Sequence, residues 1–254
     1  MAIPASTIQE VITELDIIIA ESLSKNNRLG LFAALYRQVT LRVSRGIADG
    51  QFNDNERMER LDVVFANRFL EAYKAYQTGQ TLTSSWRIAF DAAKRPNLFI
   101  LQHLLMGMNA HISLDLGIAA AEIAKGQALA QLEPDFNQIN KLLISMVDEV
   151  QVVLDRFSLT WAVIDKIAGK LDEKLANFNI VFFRNRAWQN TTALHALDGD
   201  ELFQHIAELD NIVSNENMLF ANMNNGFFLP VIRIATLLQN RKVPEVIRAL
   251  NAIA

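Results

Sequence analysis

The sequence predicts an all-α, single-domain bundle of roughly eight to ten helices around a central apolar helix at residues 98–125. Three observations predict it. Apolar residues recur at helical spacing through most of the chain, and the alternation of a half-buried strand is nowhere sustained. Gly and Pro number only 10 and 5 in 254 residues, too few for the many turns of a β-sandwich. Hydrophobic residues make up 51% of the chain against 20% charged, enough for a sizeable core and unlike a disordered protein.

The elements follow in order. Ser6 and Gln9 read as a capping box opening a first helix to about residue 23, before a turn at 24–27. A second helix at 28–48 carries Leu31, Leu35, Val39 and Val43 on one face and stops at Gly50. Asp54 caps a third at 55–77, which Gly79 ends, and Pro96 closes a short fourth at 86–94. Asn97 starts the central helix and Gly126 stops it. Glu133, Pro134 and Asp135 break the chain before a sixth helix to about 157. A seventh runs from 159 to about 175, bends near Asn177 and continues to 197. The turn at Asp198, Gly199 and Asp200 precedes a helix to about 223, and Asn224, Asn225 and Gly226 end it. Two last helices are expected at 227–240 and 243–253. Pro230 sits in the first turn of the former, where its missing N–H costs nothing. No repeat or long linker divides the chain, so 1–254 reads as one domain.

Composition excludes several function classes. A net charge of −4 provides no basic footprint for nucleic acid. The absence of cysteine removes disulfides, thiolate ligands and a Cys nucleophile, and suits a reducing compartment. Residues 1–9 lack the pattern of a secretory signal, and apolar stretches such as 17–20 and 179–183 fall far short of a membrane span. A cytoplasmic protein without a membrane span is the expectation.

Chemistry is expected on the central helix, where His103, His111 and Asp115 interrupt a run that is otherwise apolar nearly all round. At ~100° per residue, His111 and Asp115 stand one turn apart and ~40° around, so both can address one point. His103 lies two turns upstream of His111, with Gly107 between them. A helix-interior Gly costs about 1 kcal/mol against Ala, so Gly107 implies close approach by another helix or a ligand. Buried His and Asp must be paired, metal-bound or shifted in pKa. A His/Asp pair at this spacing can hold a cation, form an Asp-oriented general base, or merely satisfy two core groups.

Asp62 shares its helix face with Met58, Phe65, Ala66, Phe69 and Tyr73, while Arg57, Arg60, Arg68, Glu71 and Lys74 read as the outer side. Its expected partner is the His103, His111 and Asp115 cluster, or an Arg such as Arg37 or Arg87. Asp16 and the Asp148–Glu149 pair are weaker candidates. Trp86, Trp161 and Trp188 suit a core, His195 and His205 suit surface or capping roles, and Arg184 with Arg186 suits a solvated face. Walker, dinucleotide, GxSxG, HExxH, DDxxD and ExxH motifs are all missing.

The segments at 36–40, 58–69 and 104–116, with the NAHIxxDL core at 109–116, resemble a helical family known as domain of unknown function number 5995. The resemblance runs from about Leu31 to Trp188 and implies the fold and the chosen positions, without an activity. The HxxxD helix is also faintly similar to the zinc-dependent phospholipase C and single-strand nuclease superfamily. Those hydrolases use five His ligands and an N-terminal Trp across three zincs, whereas this chain has four His and begins Met-Ala-Ile.

Two functions follow as expectations. One is a metal-dependent hydrolase or lyase in which His103, His111, Asp115 and Asp62 bind Zn, Mn or Fe and the last three act catalytically. Bound water would then be activated near neutral pH, with Asn109, Tyr36 and Trp86 orienting a small-molecule substrate. The other is a non-catalytic bundle enclosing a lipid- or isoprenoid-like molecule, or a structural partner protein.

Overall fold

The computed structural model describes residues 4–157, 180–222 and 242–253, and it is an all-α multi-helix bundle. In chain order α1 spans Ile8–Ser24, α2 Leu29–Ala48, α3 Asn55–Thr78 and α4 Ser84–Ala92. The central helix follows as α5, Ile100–Met108, a π-helical segment, Asn109–Leu116, and α6, Gly117–Ile123. A short 3-10 turn at Leu129–Gln131 leads into α7, Glu133–Phe157. Then come α8, Ile180–His195, α9, Gly199–Ala221, and α10, Val243–Leu250. The expected helices at 159–175 and 227–240, with Trp161 and Pro230, lie outside the described residues.

The helix ends are set by local side chains. The α1 cap is Thr7, which accepts from the Glu10 N–H, while Glu10 reaches back to the Ser6 N–H and hydroxyl. The box therefore sits one residue later than Ser6 and Gln9 suggested. Asp54 caps α3 as expected, accepting from the Arg57 N–H, and Gly79 ends it with φ 70°. Asp135 covers the neighbouring N–H groups of Asn53 and Asp54 and pairs with Arg57 at 2.9 Å. Arg57, read as an outer residue, is buried because it follows that carboxylate inward. The α4 start is two residues earlier than expected, since Asp210 from α9 accepts from the N–H groups of Ser84 and Ser85.

The central helix is packed by α2, α3, α4, α8 and α9. It is long and apolar enough to cross a membrane, which the short apolar stretches singled out in the sequence understate, yet 89% of its most apolar window is buried inside the fold. The surface it would offer lipid is taken by its own neighbours. Two glycines make the approach possible. A Cβ on Gly107 would stand 2.7 Å from the Phe32 ring of α2, and one on Gly117 would stand 2.8 Å from Asn190 Cβ of α8. The close approach inferred at Gly107 is thus made by a helix.

Candidate functional site

His111 sits in the π segment, where i→i+5 bonding replaces the α pattern over eight residues. Such segments are uncommon and occur frequently at functional sites. Its imidazole is enclosed by aromatic rings: Phe65 stacks on it at 3.7 Å between centroids and Tyr36 meets it edge-on at 4.4 Å. Phe32, Trp86 and Phe69 complete the ring at 5.6, 5.9 and 6.1 Å. The helical spacing delivers the expected pair, with His111 Nδ1 lying 3.2 Å from Asp115 Oδ2.

Asp115 is anchored by two further donors. The Trp86 indole N–H donates to Oδ2 at 2.8 Å and Arg68 Nε donates to Oδ1 at 3.0 Å. A carboxylate that only accepts places the His111 proton on Nδ1 and leaves Nε2 as a bare acceptor. Burial pushes this imidazole below its ordinary pKa against the opposing pull of Asp115, so the ring is neutral. Arg68, read as an outer residue, folds its long side chain back to the carboxylate and keeps 28% of it exposed.

Asp62 occupies the inward face of α3, as the pattern predicts, and is 7% exposed. Its Oδ2 has no hydrogen-bond partner among the described residues. Arg37 does not serve it, because that guanidinium pairs with Asp16 at 2.6 Å. Burial, reinforced by the charge of Glu59, pushes the Asp62 carboxyl up to about 7. Among the described residues the Tyr36 hydroxyl is likewise buried without a hydrogen-bond partner within bonding geometry, and burial with the nearby Asp62 charge pushes it well above its usual value.

These groups line one cavity of about 650 Å³. Its wall is formed by α2 (Phe32, Tyr36, Val39, Val43), α3 (Leu61, Asp62, Phe65), the central helix (Leu105, Met108, His111, Ile112), α7 (Ile139, Leu143, Leu154) and α8 (Ile180, Arg184). Ile144, Val147 and Asp148 of α7 line it and are exposed, marking the side on which it meets solvent. Glu149 turns away to pair with Arg42 at 2.7 Å. Arg184 is buried rather than solvated. It lies over the Phe136 ring and donates to Asn140 Oδ1 and the Phe136 carbonyl, and burial lowers it to about 9.

Three expected site residues are placed elsewhere. His103 is held near Arg28 and Arg95, and burial together with those charges lowers it to about 3. Among the described residues no three of His, Asp and Glu gather closely enough to hold a metal ion, so His103, His111, Asp115 and Asp62 do not form one ligand set. Two turns and ~80° of rotation carry His103 away from His111. Asn109 faces α9, donating to Glu216 Oε2 at 3.2 Å and Asn217 Oδ1 at 3.1 Å. Trp86 supports Asp115 from behind rather than lining the cavity. His195 donates toward the carbonyls of Ala124 and Gln127 at the end of α6, a capping role.

Fold and site together define a helical bundle with an apolar cavity and a small polar wall. The chain matches the model of the family of unknown function DUF5995 over residues 8–222, and it belongs to that family. No curated protein and no solved structure matches it.

Proposed function

We propose that this protein is a binding module for an apolar small molecule, held between α2, α3, the central helix and α7. One observation carries the reading: among the described residues, Tyr36, Asp62 and His111 each have a buried polar atom without a hydrogen-bond partner, and all three line the same apolar cavity. An unsatisfied buried polar group costs about 1–3 kcal/mol, so three in one wall call for a ligand's polar end. The volume falls within the roughly 300–1,000 Å³ usual for small-molecule pockets.

Native mass spectrometry of tag-free protein, with titration of the neutral fluorophore phenylnaphthylamine, tests this. A co-purified apolar molecule, or saturable uptake of one fluorophore per chain that Val39→Trp abolishes without unfolding the protein, is expected. Absence of both would sink the reading. Stoichiometric Zn, Mn or Fe by elemental analysis, lost in His111→Ala, would instead favour the hydrolase or lyase, with His111 and Asp62 as the open donors.

A further inference from the structure

We infer that the cavity takes an apolar molecule with an acidic head group, whose anion pairs with the Arg184 guanidinium. The inference rests on the binding reading above and deepens it.

Arg57 and Arg184 are the two buried arginines among the described residues, at 5% and 3% exposed. Arg57 faces the Asp135 carboxylate at 2.9 Å. The half-buried Arg37, Arg42, Arg68 and Arg186 each have an acid as well, in Asp16, Glu149, Asp115 and Glu216. Arg184 has none among the described residues. Its Nε donates to Asn140 Oδ1 at 2.7 Å, its Nη2 to the Phe136 carbonyl at 2.6 Å, and the Phe136 ring covers one face at 3.9 Å. These neutral groups hold the guanidinium in place without balancing its charge, and burial lowers it to about 9 with no acid opposing. A guanidinium carries five N–H donors, so three remain, both of those on Nη1 included.

The residue lines the cavity at the seam of α7 and α8, beside Ile139 and Leu143 of the one and Ile180 and Val181 of the other. No other group on the wall supplies the missing charge. Tyr36 of α2 is a neutral phenol, His111 of the central helix a neutral imidazole, and Asp62 of α3 keeps its proton to about pH 7. Asp148 of α7 is exposed and two turns beyond Asn140, ~12 Å along the helix. Folding has already stripped the Arg184 cation of water, so an entering carboxylate brings the counter-charge and only its own desolvation opposes it. Bonds between such ions are roughly twice as strong as neutral ones. An alcohol of the same length accepts one bond and leaves the charge unbalanced.

Displacement of bound phenylnaphthylamine by dodecanoate and dodecanol at pH 6.5 is the test. Dodecanoate is expected to displace at about one-tenth the concentration of dodecanol, a difference of about 1.4 kcal/mol. Arg184→Gln keeps donors and removes the charge. It should weaken dodecanoate about tenfold while leaving dodecanol and the fluorophore unchanged. A readout on the unmodified chain covers the case in which that variant does not fold: the carbon-13 signal of carboxyl-labelled dodecanoate should titrate at lower pH bound than free. Equal or tighter binding of dodecanol, a preference that survives Arg184→Gln, or a bound carboxyl that titrates at higher pH than the free acid would overturn the head-group assignment. So would failure of both compounds to displace the fluorophore, and in each case the cavity reading stands. Failure of the fluorophore itself to bind would overturn both.

Discussion

The Asp115 carboxylate holds donors from three elements: Arg68 of α3, Trp86 of α4 and His111 of its own helix. Replacing it by Asn removes the charge that the partly exposed Arg68 faces and weakens two of its three acceptor contacts, so Asp115→Asn should lower stability by about 1–3 kcal/mol in denaturant titration. Trp86→Phe, which removes one donor and little volume, should cost about 1–3 kcal/mol in the same measurement. The His111–Asp115 pair was legible because one helix fixes both positions. Arg68 was not, since helical spacing locates its Cα on the outer side while a long, flexible stem brings Nε inward. Asp62 was legible as an inward acid, but that no described residue bonds its Oδ2 depends on where Arg37 goes, and that is decided by Asp16 on α1.

At the level of elements, Gly107 ties the packing of α2 to the site. A methyl there would meet Phe32, whose ring also borders His111 at 5.6 Å. Gly107→Ala is therefore expected to lower the melting temperature, with an overpacking cost of about 1–3 kcal/mol, and Phe32→Leu in the same chain should recover part of it. Periodicity and caps made most helix positions readable to within a residue or two. The α4 start moved because Asp210, 126 residues away, supplies its capping bonds. The π segment carried no readable signal, since the apolar and polar residues of NAHIxxDL fit an α-helix equally well. The cavity was equally hidden: its wall joins side chains of five helices, and a gap between elements leaves no trace in the pattern along any one of them.

For the whole molecule, buried ionisable groups set opposing responses to pH. In the folded chain Asp62 keeps its proton to about pH 7, whereas the unfolded chain loses it near 3.8. The folded state holds the extra proton between those values, so this group's contribution to stability falls as pH rises through that window. His103 acts in the reverse sense. It stays neutral when folded down to about pH 3 but charges near 6.5 when unfolded, so stability is lost as pH falls through that range. His111 is lowered too and adds to the loss in acid. Asp62→Asn should therefore steepen the decline in denaturation free energy measured from pH 6.5 down to 4, and His103→Leu should flatten it.

The apolar stretch Ile100–Ile123 has a consequence for synthesis as well. Two of the helices that cover it, α8 and α9, begin at Ile180 and Gly199. At about 5–20 residues per second, the nascent polypeptide carries that greasy surface uncovered for several seconds. Chains stopped near residue 157 should therefore sediment as aggregates or be retained by chaperones during translation, whereas the full-length product shields the stretch once its later segments emerge.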